Sequence, residues 1–182
     1  MPKNSNVAIA LLRGINVGGK AIVPMRTLVD CLEELGYDDV RTYIQSGNAV
    51  FRSPKKLTAK SAEAITAAVQ TACGVDPHVQ LLTLAELESV IEGNPFRDGV
   101  DDPSRLHVFF LASEPKSPKL EAVETLKAPT ERCRLTPRAF YLHAPEGIGR
   151  SKLAAALERL LGVPTTARNW RTVEKIREMA GE

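Results

Sequence analysis

The stretch LLRGINVGGKAIVPM, Leu11–Met25, poses the choice that decides the fold. Gly14, four further residues and then Gly19-Lys20 spell G-x-x-x-x-G-K, the first seven positions of a nucleotide-cradling P-loop. A P-loop would imply a run of parallel β-α units, with phosphate held where a helix begins at the lysine. Three features oppose it. The eighth position is Ala21, which has no hydroxyl for Mg²⁺. Ile22-Val23-Pro24 puts the helix start about four residues past Lys20, because proline suits a first helical position. No apolar strand ends in an aspartate; His107–Ala112 runs into Ser113-Glu114 instead. The seven letters also occur by chance in about one chain in twenty of this length at ordinary glycine and lysine frequencies. The stretch therefore reads as a buried strand over Val7–Arg13, a glycine-rich loop, and a helix with Pro24 as its first residue.

Reading outward, Met25, Leu28, Val29, Leu32 and Leu35 recur at helical spacing, and Gly36 stops that helix. Val40–Gln45 alternates and is β-branched, Ser46-Gly47-Asn48 is a tight turn, and Ala49–Arg52 is the return strand. Thr58 caps a helix through Cys73, with Gly74 behind it, and His78–Leu82 is the next strand. Thr83-Leu84-Ala85-Glu86 spells a capping box for a helix reaching about Glu92. Asn94–Ser104, rich in Gly, Pro and Asp, reads as a linker.

The pattern then repeats. Arg105–Ala112 is a strand, Ser117-Pro118 caps a helix through Leu126, and Arg132–Thr136 and Ala139–His143 form a hairpin around Pro137-Arg138. Ser151–Leu161 is a helix, Pro164–Arg168 a short strand and Trp170–Ala180 a last helix. The expected fold class is α+β, two ferredoxin-like β-α-β-β-α-β halves packed together. The expected division is residues 1–95, a linker over 96–104, and 105–182 with an extra C-terminal helix.

The chain has 182 residues, 43% hydrophobic and 25% charged, as a soluble globular protein does. No apolar run approaches the roughly 18 residues of a membrane span, and no signal-peptide cleavage pattern follows MPKNSNVAIALLRG. A cytoplasmic location and no membrane partner are the expectation. Cys31, Cys73 and Cys133 are odd in number, lack C-x-x-C spacing and fall at core positions, so no metal site or disulfide framework is expected. Net charge is +2, divided as +3 over residues 1–57, −6 over 58–131 and +5 over 132–182. Basic ends flank an acidic middle, which would make a positive surface if the ends meet.

Several segments, quoted in order, resemble a bacterial family of uncharacterised proteins, domain-of-unknown-function family 1697. They are ALLRGINVGGK, Met25, LGYDDVRTYIQSGNAVF (Leu35–Phe51), NPF (Asn94–Phe96), GRSKL (Gly149–Leu153) and TARNWRTV (Thr166–Val173). The resemblance runs over nearly the whole chain and implies a two-part α+β protein with ferredoxin-like halves. It implies no activity and supplies motif positions without roles.

Three places could hold chemistry. In a β-α-β-β-α-β unit the loop after the first strand and the turn between the second and third lie at one end of the sheet. That brings Arg13, Gly14, Asn16, Gly18, Gly19 and Lys20 beside Ser46, Gly47 and Asn48. Two cations, glycines that admit a ligand to backbone N–H groups, and oriented polar side chains make an anion site; equally, the glycines and asparagines could simply build a turn. Arg150, Ser151 and Lys152 follow two glycines at a helix start, favouring phosphate or carboxylate, unless Ser151 is a plain N-cap. Arg168, Asn169 and Trp170 open the last helix, where the single tryptophan either stacks on a ligand or plugs the core.

His78, His107 and His143 fall in strands without an orienting carboxylate by spacing, and no G-x-S-x-G, paired-carboxylate or H-E-x-x-H pattern appears. RLHVFFLA lacks an RNA-binding strand signature, so packing of sheet on sheet is the expectation there. The leading reading is a binding protein for a small anionic or phosphate-bearing ligand, with no cofactor or metal. The alternatives are a nucleic-acid-binding module using the basic ends, with weak, sequence-blind affinity, and an enzyme working in the Gly14–Lys20/Ser46–Asn48 corner. The residues specify neither a reaction nor an oligomeric state.

Overall fold

The computed structural model describes residues 6–182; the first five residues of MPKNSNVAIALLRG, and with them the start of the expected 1–95 half, lie outside the described residues. Strand β1 (Asn6–Arg13) is a continuous apolar run buried at Ala8–Leu12, which places it inside a sheet. Helix α1 (Met25–Glu34) follows, burying Leu28, Cys31 and Leu32. Pro24 is its N-cap and stays extended at ψ 137°, so the helix begins one residue later than expected. Then come β2 (Asp38–Tyr43), β3 (Asn48–Ser53), α2 (Ala59–Cys73), β4 (His78–Thr83) and α3 (Leu84–Glu92). Gly74 ends α2 in the left-handed conformation at φ 68°. The capping box before α3 is formed: Glu86 Oε2 accepts from Thr83 N at 2.8 Å, and Thr83 Oγ1 accepts from Glu86 N at 3.2 Å.

The same order recurs as β5 (Leu106–Leu111), α4 (Leu120–Leu126), β6 (Arg132–Leu135), β7 (Ala139–His143), α5 (Lys152–Leu161), β8 (Thr165–Asn169) and α6 (Trp170–Gly181). Ser117 does not cap α4. The Lys119 N–H is held by Leu160 O of α5 at 2.9 Å, Lys119 becomes the N-cap, and the helix starts at Leu120. Within the expected linker, Arg97–Asp101 forms a 3-10 turn.

The strands make two four-stranded sheets, ordered β2-β3-β1-β4 and β6-β7-β5-β8. Every neighbouring pair is antiparallel. The fold is mixed α+β, and each sheet with its interleaved helices has the ferredoxin-like order. The repeat extends to single bonds. Leu12 N donates to Gly47 O at 2.8 Å, and the equivalent Leu111 N donates to Arg138 O at 3.0 Å.

Contacts group the chain into two compact units, Met1–Glu88 with Lys175–Glu182, and Ser89–Glu174. In the first, Ala8, Ala10, Leu12, Ala49, Phe51 and Val79 from the sheet meet Leu28, Leu32, Ile65 and Val69 from α1 and α2. In the second, Phe109, Leu111, Phe140 and Leu142 meet Val123, Leu153, Leu157, Leu160 and Leu161 from α4 and α5. Cys31 is buried and Cys73 and Cys133 are partly so, all three as free thiols.

Candidate functional site

The antiparallel register pairs Leu11 with Asn48, so β1 ends beside the β2–β3 turn. Three connections tie the loop after β1 to that turn. One is the Leu12 N to Gly47 O bond. The second is Asn16, whose Nδ2 donates to Gln45 O at 2.7 Å and to Val23 O at 2.9 Å, while its Oδ1 accepts from Val23 N at 2.8 Å. The third is Gly47: a Cβ there would lie 2.7 Å from Ile15 Cδ1 and 2.8 Å from Leu12 Cβ, so only glycine admits the approach, and φ 86° asks for glycine again.

Between these anchors the loop is a small hairpin. Val17 and Lys20 bridge, Lys20 N donates to Val17 O at 3.0 Å, and Gly18 and Gly19 both have positive φ, 58° and 71°. Two consecutive positive φ values are the signature of a type I′ turn. This geometry disposes of the P-loop. The Lys20 N–H is committed to its own turn, Asn16 N donates to Ala21 O, and the following helix begins only at Met25.

The structure divides the expected residues by role. Asn16 is the staple of the loop. Asn48 is buried and donates to Tyr43 O and Ser46 Oγ, both at 2.9 Å, so it holds its turn. Gly14, Gly18, Gly19, Lys20 and Ser46 are exposed, Arg13 is half-buried, and Gly47 is buried against Ile15 and Leu12. Sequence reading missed the apolar part of this corner. Val17, Ile22 and Ile44 are 68%, 54% and 50% exposed, and Ile44 adopts φ 49°, which a β-branched residue rarely takes. The available signal was Val17 and Ile22, β-branched residues flanking the loop's glycines with no expected strand to bury them; Ile44 fell inside the expected strand Val40–Gln45, which ends at Tyr43 instead.

The other two places belong to the second unit. Ser151 Oγ accepts from Ala154 N at 3.0 Å, the plain N-cap of α5, flanked by exposed Arg150 and Lys152. Arg168 is buried on β8, donates to Ala167 O at 2.8 Å, and burial draws its pKa down to about 10, so it stays cationic at neutral pH. Asn169 Oδ1 accepts from Thr172 N at 2.9 Å in the first turn of α6. Trp170 is buried, with Nε1 donating to Glu174 at 2.9 Å, as a core residue does. Among the described residues, no three His, Cys, Asp or Glu side chains are grouped to hold a metal ion. Likewise no helix is long and apolar enough to cross a membrane.

A sequence profile described as "Protein of unknown function (DUF1697)" matches residues 6–141. The chain belongs to the DUF1697 family. A solved structure similar to this DUF1697 chain is that of the conserved bacterial protein SP0830 from Streptococcus pneumoniae. It is 26% identical, covers 96% of this chain and 98% of its own, and superposes with a TM-score of 0.68. No curated protein matches. GRSKL and TARNWRTV lie beyond the profile's span.

The NPF motif of this DUF1697 chain has a local structural role. Asn94 Oδ1 accepts from Phe96 N at 2.9 Å, an Asx turn that presents the Phe96 ring 5.0 Å beneath the Arg132 guanidinium. Arg132 in turn grips Asp98 through both nitrogens, at 3.3 and 2.8 Å, and lowers the Asp98 pKa chiefly through that hydrogen bond. His143 stands 3.5 Å from Arg132, its pKa lowered first by burial and then by the cation.

Proposed function

We propose that this protein binds a small anionic or phosphate-bearing ligand at the corner formed by Arg13, Gly14, Gly18, Gly19 and Lys20 with Ser46-Gly47. The observation that carries this is the Gly18-Gly19 turn. It is exposed, with both glycines at positive φ in a tight turn of the kind that can gather backbone N–H groups around an anion, and it ends on exposed Lys20. Asn16 fixes the loop onto the neighbouring turn, so the donors are held before a ligand arrives, which lowers the cost of binding. The second unit offers an internal comparison. The equivalent connection, residues 112–119, reads ASEPKSPK and has no glycine, so the fold itself does not require this loop.

Titration of inorganic phosphate and sulfate, followed by amide shifts of Gly18, Gly19 and Lys20, tests the reading. Saturable shifts that weaken at least threefold in Lys20→Ala, with the melting temperature unchanged, are the expected result, because an exposed lysine contributes little to stability. No Mg²⁺-dependent ATP turnover is expected from the protein or from Ala21→Ser. Unshifted amides at millimolar anion would defeat the proposal.

A further inference from the structure

We propose that the ligand of this corner is an organic phosphate with an apolar substituent, the phosphate at Gly18-Gly19-Lys20 and the substituent lying on Val17, Ile22 and Ile44. The inference rests on the anion reading above and specifies its ligand. Val17, Ile22 and Ile44 are three of the large hydrophobic side chains exposed on the described protein, and all three stand on the two segments that Asn16 stitches together. Lys20 lies between Val17 and Ile22, so charge and apolar surface alternate within six residues. A bare inorganic anion has no use for the aliphatic groups, and a purely apolar molecule has none for the lysine; an amphiphilic anion complements both.

Two further facts argue that the patch is selected rather than incidental. Ile44 is unfavourable twice over, as a β-branched residue at φ 49° and as an isoleucine half in water. The second unit does without such a patch: residues 112–119 and Thr136-Pro137-Arg138 contain no large aliphatic residue.

The test is a calorimetric titration of the full chain with inorganic, methyl, n-butyl and n-hexyl phosphate at fixed salt. Affinity is expected to rise at least tenfold from methyl to hexyl phosphate, since each methylene covered by the patch strengthens binding up to a few fold. The rise should fall below threefold in Val17→Ser/Ile22→Ser/Ile44→Asn, with Ile22→Ser alone giving a partial loss should the triple variant not fold. Hexanol should not bind. A flat series in which inorganic phosphate still binds overturns this inference and leaves the anion site standing. No binding of any phosphate overturns both. A chain-length gain that survives the triple variant places the substituent elsewhere and overturns the inference. So does concentration-dependent self-association abolished by the same substitutions, which would assign the patch to a second copy of the chain.

Discussion

Ile44 and Gly47 show how one four-residue turn can hold opposite kinds of strain. Gly47 has no alternative, because its φ is positive and a methyl group would strike Ile15 and Leu12. Gly47→Ala is therefore expected to destabilise by about 2–4 kcal/mol, from backbone strain plus overpacking, read as a lowered urea midpoint. Ile44 carries the same sign of φ, but its side chain is half exposed. Asparagine tolerates that conformation, so Ile44→Asn is expected to raise stability by roughly 0.5–1 kcal/mol. Destabilisation by Ile44→Asn would mean that the isoleucine makes contacts worth more than its strain. The neighbouring asparagines divide their work differently. Asn16 itself takes φ 52° and joins two backbone segments with one carboxamide.

Strand β5 shows why a histidine in a strand is not by itself a catalyst. His107 is buried at the start of β5, opposite Leu142 of β7 and Asn169 of β8. Burial lowers its pKa; a hydrogen bond with the Arg105 backbone opposes that shift in part, and the Arg105 charge adds to it more weakly. The folded protein thus binds this proton less readily than the unfolded chain does. Stability is complete above the unfolded histidine value, roughly 6.5, and is lost as pH falls below it towards the folded value. His143 shifts in the same direction and adds to the slope. The melting temperature is expected to fall between pH 7 and pH 5, and His107→Leu should flatten part of that fall. A pH profile identical to that of the unmodified protein would show that His107 does not titrate in this range.

Across the whole molecule, the boundary between the two compact units falls inside helices, at Glu88/Ser89 in α3 and at Glu174/Lys175 in α6. The last turns of α6 group with the first unit, where Arg41 donates to Met179 O at 2.9 Å and pairs with Glu182 at 2.6 Å. A helix that crosses a boundary cannot melt on one side without fraying on the other. We therefore expect one calorimetric unfolding transition for the full chain, and loss of residues 175–182 should lower its midpoint. Two resolved transitions would show that the units unfold independently.

The amino-acid sequence determined the order of elements, most of their ends and the α+β class, because these follow from local rules. Apolar period separated helix from strand, and Thr83/Glu86, Ser151, Gly74 and Gly162 marked helix ends through bonds or dihedrals that span only a few residues. It also placed the loop after β1 beside the β2–β3 turn, since the direction of successive strands follows from topology alone. The tertiary structure decided which corner residues face water and which are structural. Asn16 and Gly47 act through partners about thirty residues away, and no local pattern encodes such a bond. It likewise decided that Arg168 and Trp170 are buried and that Val17, Ile22 and Ile44 are not. Burial depends on what the rest of the chain brings to a surface, and a side chain's chemistry alone does not fix it.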